Sequence, residues 1–160
     1  MRSSVVIVTY NGRDRLARAL ESLELQTRRP DEVIVVDNAS TDGTLEMLRD
    51  RHPDVVVLEQ DENLGFGRAV NRGVAAATGD ILVLVNNDMV CEPGFVEAML
   101  RPFDRPGVGM VAGVLLQEAD PLRIDTAGLV FDRTMRAWEH LGDRPIVELD
   151  GAPAPAGPCG

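Results

Sequence analysis

Five short apolar runs punctuate the chain, at Val5–Thr9, Val33–Asp37, Val55–Glu59, Ile81–Val85 and Gly109–Leu115. Each is rich in Val, Ile or Leu and shows no clear alternation with polar residues. Continuous apolar runs of this length suit strands buried on both faces, as in a parallel sheet. The segments between them follow a helical period instead. Leu16, Ala19, Leu20 and Leu23 share one face of a helix between Arg13 and Gln26. Ser40 or Thr41 stands where a second helix, carrying Leu45 and Leu48, needs a cap. A third helix, from about Gly67 to Thr78, turns Ala69, Val70, Gly73, Val74 and Ala77 inward and stops at Gly79. On it, Asn71 reads as a buried amide bonded to backbone. A fourth opens at Glu92-Pro93, with Pro93 in the first helical position, and ends before Pro102. The alternation of strand and helix predicts an α/β fold, a mostly parallel twisted sheet flanked by helices and built from right-handed crossovers.

Beyond Leu116 the pattern loosens. Short apolar pieces such as Gly128–Phe131, around the single tryptophan Trp138, predict irregular structure with a hairpin. Residues 151–160 are nearly all Gly, Ala and Pro and predict a poorly ordered tail. The expected division is therefore 1–116, 117–150 and 151–160.

Composition narrows the partners. The chain has 160 residues, the scale of one domain, and 44% of them are apolar, enough for a packed core. Acidic residues outnumber basic ones 26 to 16, a net charge of −10, which argues against nucleic acid and anionic lipid as electrostatic partners. Cys91 and Cys159 lack metal-ligand spacing and read as free thiols in a reducing compartment. His52 and His140 have no nucleophile context and read as surface residues. No apolar run approaches the roughly 20 residues of a membrane span. The first strand begins almost at once, with no room before it for a signal peptide. The default location is cytoplasmic, or peripheral at the inner face of a membrane.

Candidate chemistry concentrates just after the strands, where ligands bind in parallel sheets. The first run leads into Thr9-Tyr10-Asn11-Gly12, the second into Asp37-Asn38-Ala39-Ser40-Thr41-Asp42-Gly43, the third into Asn63-Leu64-Gly65-Phe66-Gly67, and the fourth into Asn86-Asn87-Asp88. Asn86-Asn87-Asp88 is either a polar turn or a hard-oxygen site for Mg²⁺ or Mn²⁺; one carboxylate suffices when a diphosphate supplies further ligands. Asp37 and Asn38 either form a turn or hydrogen-bond a base edge or ribose hydroxyl. The glycines of Asn63–Gly67 let backbone approach an anion at a helix N-terminus. The dinucleotide fingerprint and the Walker phosphate loop are both missing, which disfavours dehydrogenase and ATPase readings.

Together these segments resemble the family 2 glycosyltransferases, which have the Rossmann-like GT-A fold. The resemblance rests on Val8-Thr9-Tyr10-Asn11, Val36–Gly43, Glu62–Gly73 and Leu84–Asp88, and covers about residues 3–115. The Asp-Asn-Ala-Ser and Asn-Asn-Asp forms look most like the rhamnosyltransferase-like branch. The resemblance implies that Thr9, Tyr10 and Asn11 border a nucleotide-diphosphate sugar and that Asp37 and Asn38 meet its base or ribose. It places Asn63, Gly65, Gly67 and Asn87 beside that donor. Asp88, with Asn86, stands where the family's Asp-x-Asp motif holds Mg²⁺ or Mn²⁺, with Asn in place of the first Asp. The implied reaction is inverting transfer to a hydroxyl of a saccharide or lipid-linked acceptor, and 117–150 would begin the acceptor side. In the family a catalytic base lies in a Glu-Asp segment after a Gly-Ala-rich strand. This chain reaches Ala156–Gly160 about where that strand would begin, so it reads as truncated and no catalytic base is assigned. Asp120, Asp125 and Asp132 lack motif context and read as loop residues. The other readings are a catalytically incomplete donor-binding module and a nucleotidyltransferase-like sheet protein, whose glycine-rich basic first loop is missing here.

Overall fold

The computed structural model describes residues 1–131 and 137–150. Asp132, Cys159 and the expected tail lie outside them. The chain divides into two compact units, Met1–Leu100 and Arg101–Gly160.

The first unit is a four-stranded parallel sheet in the order β3-β2-β1-β4, with β1 Ser3–Thr9, β2 Glu32–Asp37, β3 Val56–Glu59 and β4 Ile81–Asn86. Helices α1 Arg13–Glu24, α2 Thr44–Arg51, α3 Phe66–Ala76 and α4 Phe95–Leu100 connect or follow the strands. One face carries Val5, Ile7, Val35, Val83 and Val85, packed with Leu16, Leu20 and Leu23 of α1, Met47 and Leu48 of α2, and Val96 and Leu100 of α4. On the other face α3 lies against β1 and β2. That contact is close because Gly73 has no side chain: a Cβ there would fall 2.4 Å from Val6 Cγ1 and 3.1 Å from Val36 Cγ2.

The α/β reading holds, with three differences. The outer strands are not covered on both faces: Val56 of β3 and Leu82 and Leu84 of β4 are exposed. Gly109–Leu115 is not a fifth strand of this sheet. Only Leu115–Leu116 (β5) is extended, and it pairs antiparallel with β6, Ile124–Thr126. Neither Ser40 nor Thr41 caps α2. The helix starts after Gly43, and Asp42 Oδ1 accepts hydrogen bonds from Thr44 N–H at 3.2 Å and Thr44 Oγ1 at 2.5 Å. Within the second unit, the hairpin expected near Trp138 is present as β7 Leu129–Phe131 paired with β8 Ala137–Glu139.

The amino ends of the strands are fastened by carboxylates. Glu32 Oε1 accepts hydrogen bonds from Ser4 Oγ at 2.5 Å, Thr78 N–H at 2.6 Å and Thr78 Oγ1 at 2.8 Å. The Ser4 hydroxyl, then the Thr78 backbone, hold the Glu32 carboxyl down to about 2. A depressed carboxyl stabilises the fold above its unfolded value, and that contribution is lost as pH falls. Glu32→Gln is therefore expected to destabilise the protein by about 1 kcal/mol at pH 7, and to reduce the loss of stability between pH 4.5 and about 2. Urea unfolding across that range checks it; an unchanged acid slope would refute the assignment.

Candidate functional site

The carboxyl ends of β1, β2 and β4 meet around Thr9. Thr9 lies opposite Asp37 in the β1–β2 register, and Val8 lies opposite Asn86 in the β1–β4 register. Asn38 N–H donates to the Thr9 carbonyl at 2.9 Å. On the other side Asn87 Nδ2 donates to Thr9 Oγ1 at 3.0 Å. Gly12 makes that approach possible, since a Cβ there would fall 2.4 Å from Asn87 Nδ2 and 3.1 Å from Thr9 Oγ1. Asp37 and the Asn86–Asp88 turn therefore flank one residue of the central strand, on one rim.

The loops are also tied to each other. Asn11 N–H donates to Ser40 Oγ at 2.9 Å, and Asn11 Oδ1 accepts from Thr41 N–H at 2.8 Å. Arg13 N–H donates to Asp42 Oδ2 at 3.0 Å. Burial pushes the Asp42 carboxyl up, but hydrogen bonds from Thr44 and Arg13 outweigh it and leave it below the usual carboxylate value. The loop before α3 joins through Leu64 N–H, which donates to Asn38 Oδ1 at 3.4 Å, while Asn63 Oδ1 accepts from Gly65 N–H at 2.9 Å. Gly65 has φ 76°, which favours glycine, and no atom lies within 4 Å of a Cβ built at Gly65 or Gly67. The backbone at the start of α3 is thus open to approach. Tyr10 and Phe66 present exposed aromatic rings.

Asp37 is the chemically distinctive member. It is fully buried. Its Oδ2 accepts from Ser40 N–H at 2.9 Å, while Oδ1 is buried with no hydrogen-bond partner. A buried acceptor without a donor is costly and uncommon, and a donor from outside the chain, an ordered water or a ligand group, would satisfy it.

Asn86 and Asp88 are exposed on a turn closed by Met89 N–H donating to the Asn86 carbonyl at 3.2 Å. Among the described residues, no three His, Cys, Asp or Glu side chains gather where a metal could sit. One exposed carboxylate and one amide oxygen on a single turn nonetheless fit Mg²⁺ or Mn²⁺, whose remaining ligands come from phosphate and water.

Ser40, Asp42 and Gly12 form the framework of the rim; the sequence places them in its strand-end segments but does not mark their bracing role. Their signal was local: an Asn-Gly pair after β1, and two short polar residues in a loop that had no need of both as caps. Two other expectations fail. Asn71 is exposed rather than a buried amide. His52 and His140 are buried, not on the surface, at 4% and 9% exposure. His52 ends α2, its N–H bonded to the Leu48 carbonyl, and its Nδ1 lies 2.8 Å from Glu24 Oε1. His140 is drawn in by two backbone bonds, its carbonyl accepting from Ala127 N–H at 2.9 Å and its N–H donating to the Gly128 carbonyl at 2.8 Å. Asp120 holds a turn, accepting from Leu122 N–H at 3.2 Å. A cleft of about 400 Å³, lined by Glu24, Asp31, His52 and Val55 among others, opens at the amino ends of β2 and β3. It holds the other buried polar side-chain atom without a partner among the described residues, His52 Nε2. It lies at the opposite end of the strands from Asp37, and the rim is preferred because ligands of parallel sheets bind beyond the carboxyl ends of the strands.

The sequence profile of "Glycosyl transferase family 2" matches residues 4–143. The chain is similar to N-acetylglucosaminyl-diphospho-decaprenol L-rhamnosyltransferase of Mycobacterium tuberculosis, with 38% identity over 128 residues, covering 72% of this chain and 41% of the relative. Among solved structures it is similar to mannosyltransferase PcManGT of Pyrobaculum calidifontis in complex with GDP-Man and Mn²⁺, with 31% identity and a TM-score of 0.66, over 74% of this chain and 36% of that one. It is also similar to S. aureus TarS in complex with UDP-GlcNAc, with 26% identity and a TM-score of 0.58, over 74% of this chain and 39% of that one. The chain thus spans about two fifths of the length of such relatives.

Proposed function

The chain belongs to glycosyl transferase family 2, and from that premise we propose that its rim holds the nucleotide-diphosphate sugar in an inverting transfer to an acceptor hydroxyl. The observation that carries this reading is the buried, partnerless Asp37 Oδ1 beside Thr9. An anionic acceptor there suits a base with a ring N–H, such as uracil, thymine or guanine. Adenine and cytosine present a ring acceptor at the corresponding edge and are disfavoured. PcManGT and TarS, bound to GDP-Man and UDP-GlcNAc, carry bases of the favoured kind.

The remaining roles follow from position. Asn38 and Thr9 flank the base or ribose, and Tyr10 offers a ring beside them. The open backbone of Gly65 and Gly67, at the N-terminus of α3, faces the donor's anionic part. Asn87 stays with Thr9 and fixes the β4 turn against β1. Asp88 and the Asn86 amide oxygen would hold a divalent cation. When bound, that cation supplies positive charge that neutralises the departing diphosphate. The relative of M. tuberculosis, named for a diphospho-decaprenol acceptor, makes a lipid-linked acceptor our choice. Among the described residues no helix is long and apolar enough to cross a membrane. We place the meeting with such an acceptor at the membrane's inner face, on the strength of that relative's lipid-linked acceptor.

Calorimetry tests the donor site. Uridine or guanosine diphosphate is expected to bind about tenfold more tightly with Mn²⁺ or Mg²⁺ than with chelator, by the charge-assisted contacts a cation adds. Asp88→Ala is expected to abolish that difference. Equal affinity with and without the cation in the unaltered protein would overturn the metal assignment. Failure to bind any nucleoside diphosphate would overturn the donor reading.

A further inference from the structure

We infer that Asn11 is a positioning residue for Asp37, acting through the β2 loop. The inference rests on the donor reading of the rim and deepens it. Two residues near the rim adopt left-handed backbone although neither is glycine, Asn11 at φ 49° and Ala39 at φ 64°. For alanine that conformation costs about 1 kcal/mol or more, so other contacts must hold it. Those contacts come from Asn11. Its N–H donates to Ser40 Oγ at 2.9 Å, and its Oδ1 accepts from Thr41 N–H at 2.8 Å. One residue thereby grips both a side chain and a backbone amide of the loop.

The next link leads to the carboxylate. Ser40 N–H donates to Asp37 Oδ2 at 2.9 Å. With Ser40 held by Asn11, Oδ2 is fixed, and the carboxylate plane leaves Oδ1 as the free acceptor. Asn suits the start of this relay for two reasons. It tolerates the left-handed region better than most residues, and its short amide brings an acceptor to Thr41. Asn11 thus acts on the nucleotide at one remove.

Three proteins test this: the unaltered chain, Asn11→Gly and Asn11→Asp. Glycine adopts φ 49° without strain but removes the amide, while aspartate keeps an acceptor oxygen. The first readout needs no ligand. Amide hydrogen exchange at Thr41, whose N–H is bonded to the Asn11 side-chain oxygen, is expected to accelerate about tenfold in Asn11→Gly, the loss of one hydrogen bond's protection, while the backbone bond from Asn11 N–H to Ser40 Oγ remains. The β1–β2 ladder should not change, and Asn11→Asp should restore protection. Unchanged exchange at Thr41 in Asn11→Gly would overturn the relay. The second readout compares uridine diphosphate with inorganic pyrophosphate. Asn11→Gly is expected to weaken uridine diphosphate about tenfold and to leave pyrophosphate unaffected. Equal weakening of both would mark a general structural role and also overturn the inference. If the unaltered chain binds no nucleoside diphosphate, the donor reading fails, and the exchange measurement still decides the relay.

Discussion

Asp37→Asn is expected to lower the affinity for uridine or guanosine diphosphate about a hundredfold. The substitution keeps the side chain's shape and leaves an oxygen for Ser40 N–H, which Asp37 Oδ2 now serves. It replaces the free, buried Oδ1 with an NH₂ group. Against a ring N–H that arrangement sets donor against donor. A hydrogen bond to a charged acceptor contributes about 1.5–3 kcal/mol, and its loss with an opposed donor puts the effect at about 2.7 kcal/mol. The same NH₂ suits a ring acceptor, so cytidine diphosphate should gain relative to uridine diphosphate. Inorganic pyrophosphate should bind as before, because it has no base to read. The empty protein should not lose stability, since the change removes a buried charge that has one oxygen unsatisfied. A fall in nucleotide affinity with an unchanged or higher thermal midpoint is the expected pair of results. Unchanged uridine diphosphate affinity in Asp37→Asn would remove Asp37 from base recognition.

The same residue shows what sequence can convey. The apolar runs ending at Thr9, Asp37 and Val85 marked strands whose ends would align, because parallel strands connected by helices must present their carboxyl ends on one side. Thr9 opposite Asp37 and Val8 opposite Asn86 are that alignment in register. The sequence did not convey which polar residues face outward and which brace the loop. Asn11, Ser40 and Thr41 are small, polar and suited to capping or turns, and only the left-handed turn at Ala39 brings them together. Propensity is silent on that, because alanine gives no hint of positive φ. The failed fifth strand has a different cause. Gly109–Leu115 has the composition of a buried strand, but its partner is β6, reached by a local return of the chain, and only Leu115–Leu116 is extended there. Pairing is a tertiary choice, and a short apolar run does not specify its neighbour. The histidines were misread for a similar reason. His52 follows a polar helix end, but its backbone closes α2, and that draws its ring inward to Glu24.

The rim's geometry depends on how closely α3 lies on the sheet, and Gly73 controls that distance. Gly73→Val is expected to destabilise the first unit by about 3 kcal/mol, at the upper end of ordinary overpacking. The first carbon added at Gly73 would already stand 2.4 Å from Val6 Cγ1, well inside contact distance, and 3.1 Å from Val36 Cγ2. Val6 has little room to yield. It is 2% exposed, and β-branched side chains have few rotamers. The helix must therefore lift, and the Gly65–Gly67 backbone at its start would move with it. The gain in helix propensity on replacing glycine is at most about 1 kcal/mol and does not offset the clash. Val6→Ala supplies the control, because it removes the methyl groups that the new side chain would meet. Alone it should cost about 2 kcal/mol as a cavity. Combined with Gly73→Val it should cost less than the sum by about 1–2 kcal/mol, the coupling expected of residues in contact. Urea unfolding followed by circular dichroism measures all three variants. Additivity within about 0.5 kcal/mol would show that α3 and β1 do not meet at these two positions. The donor loop would then owe its placement to something other than this contact.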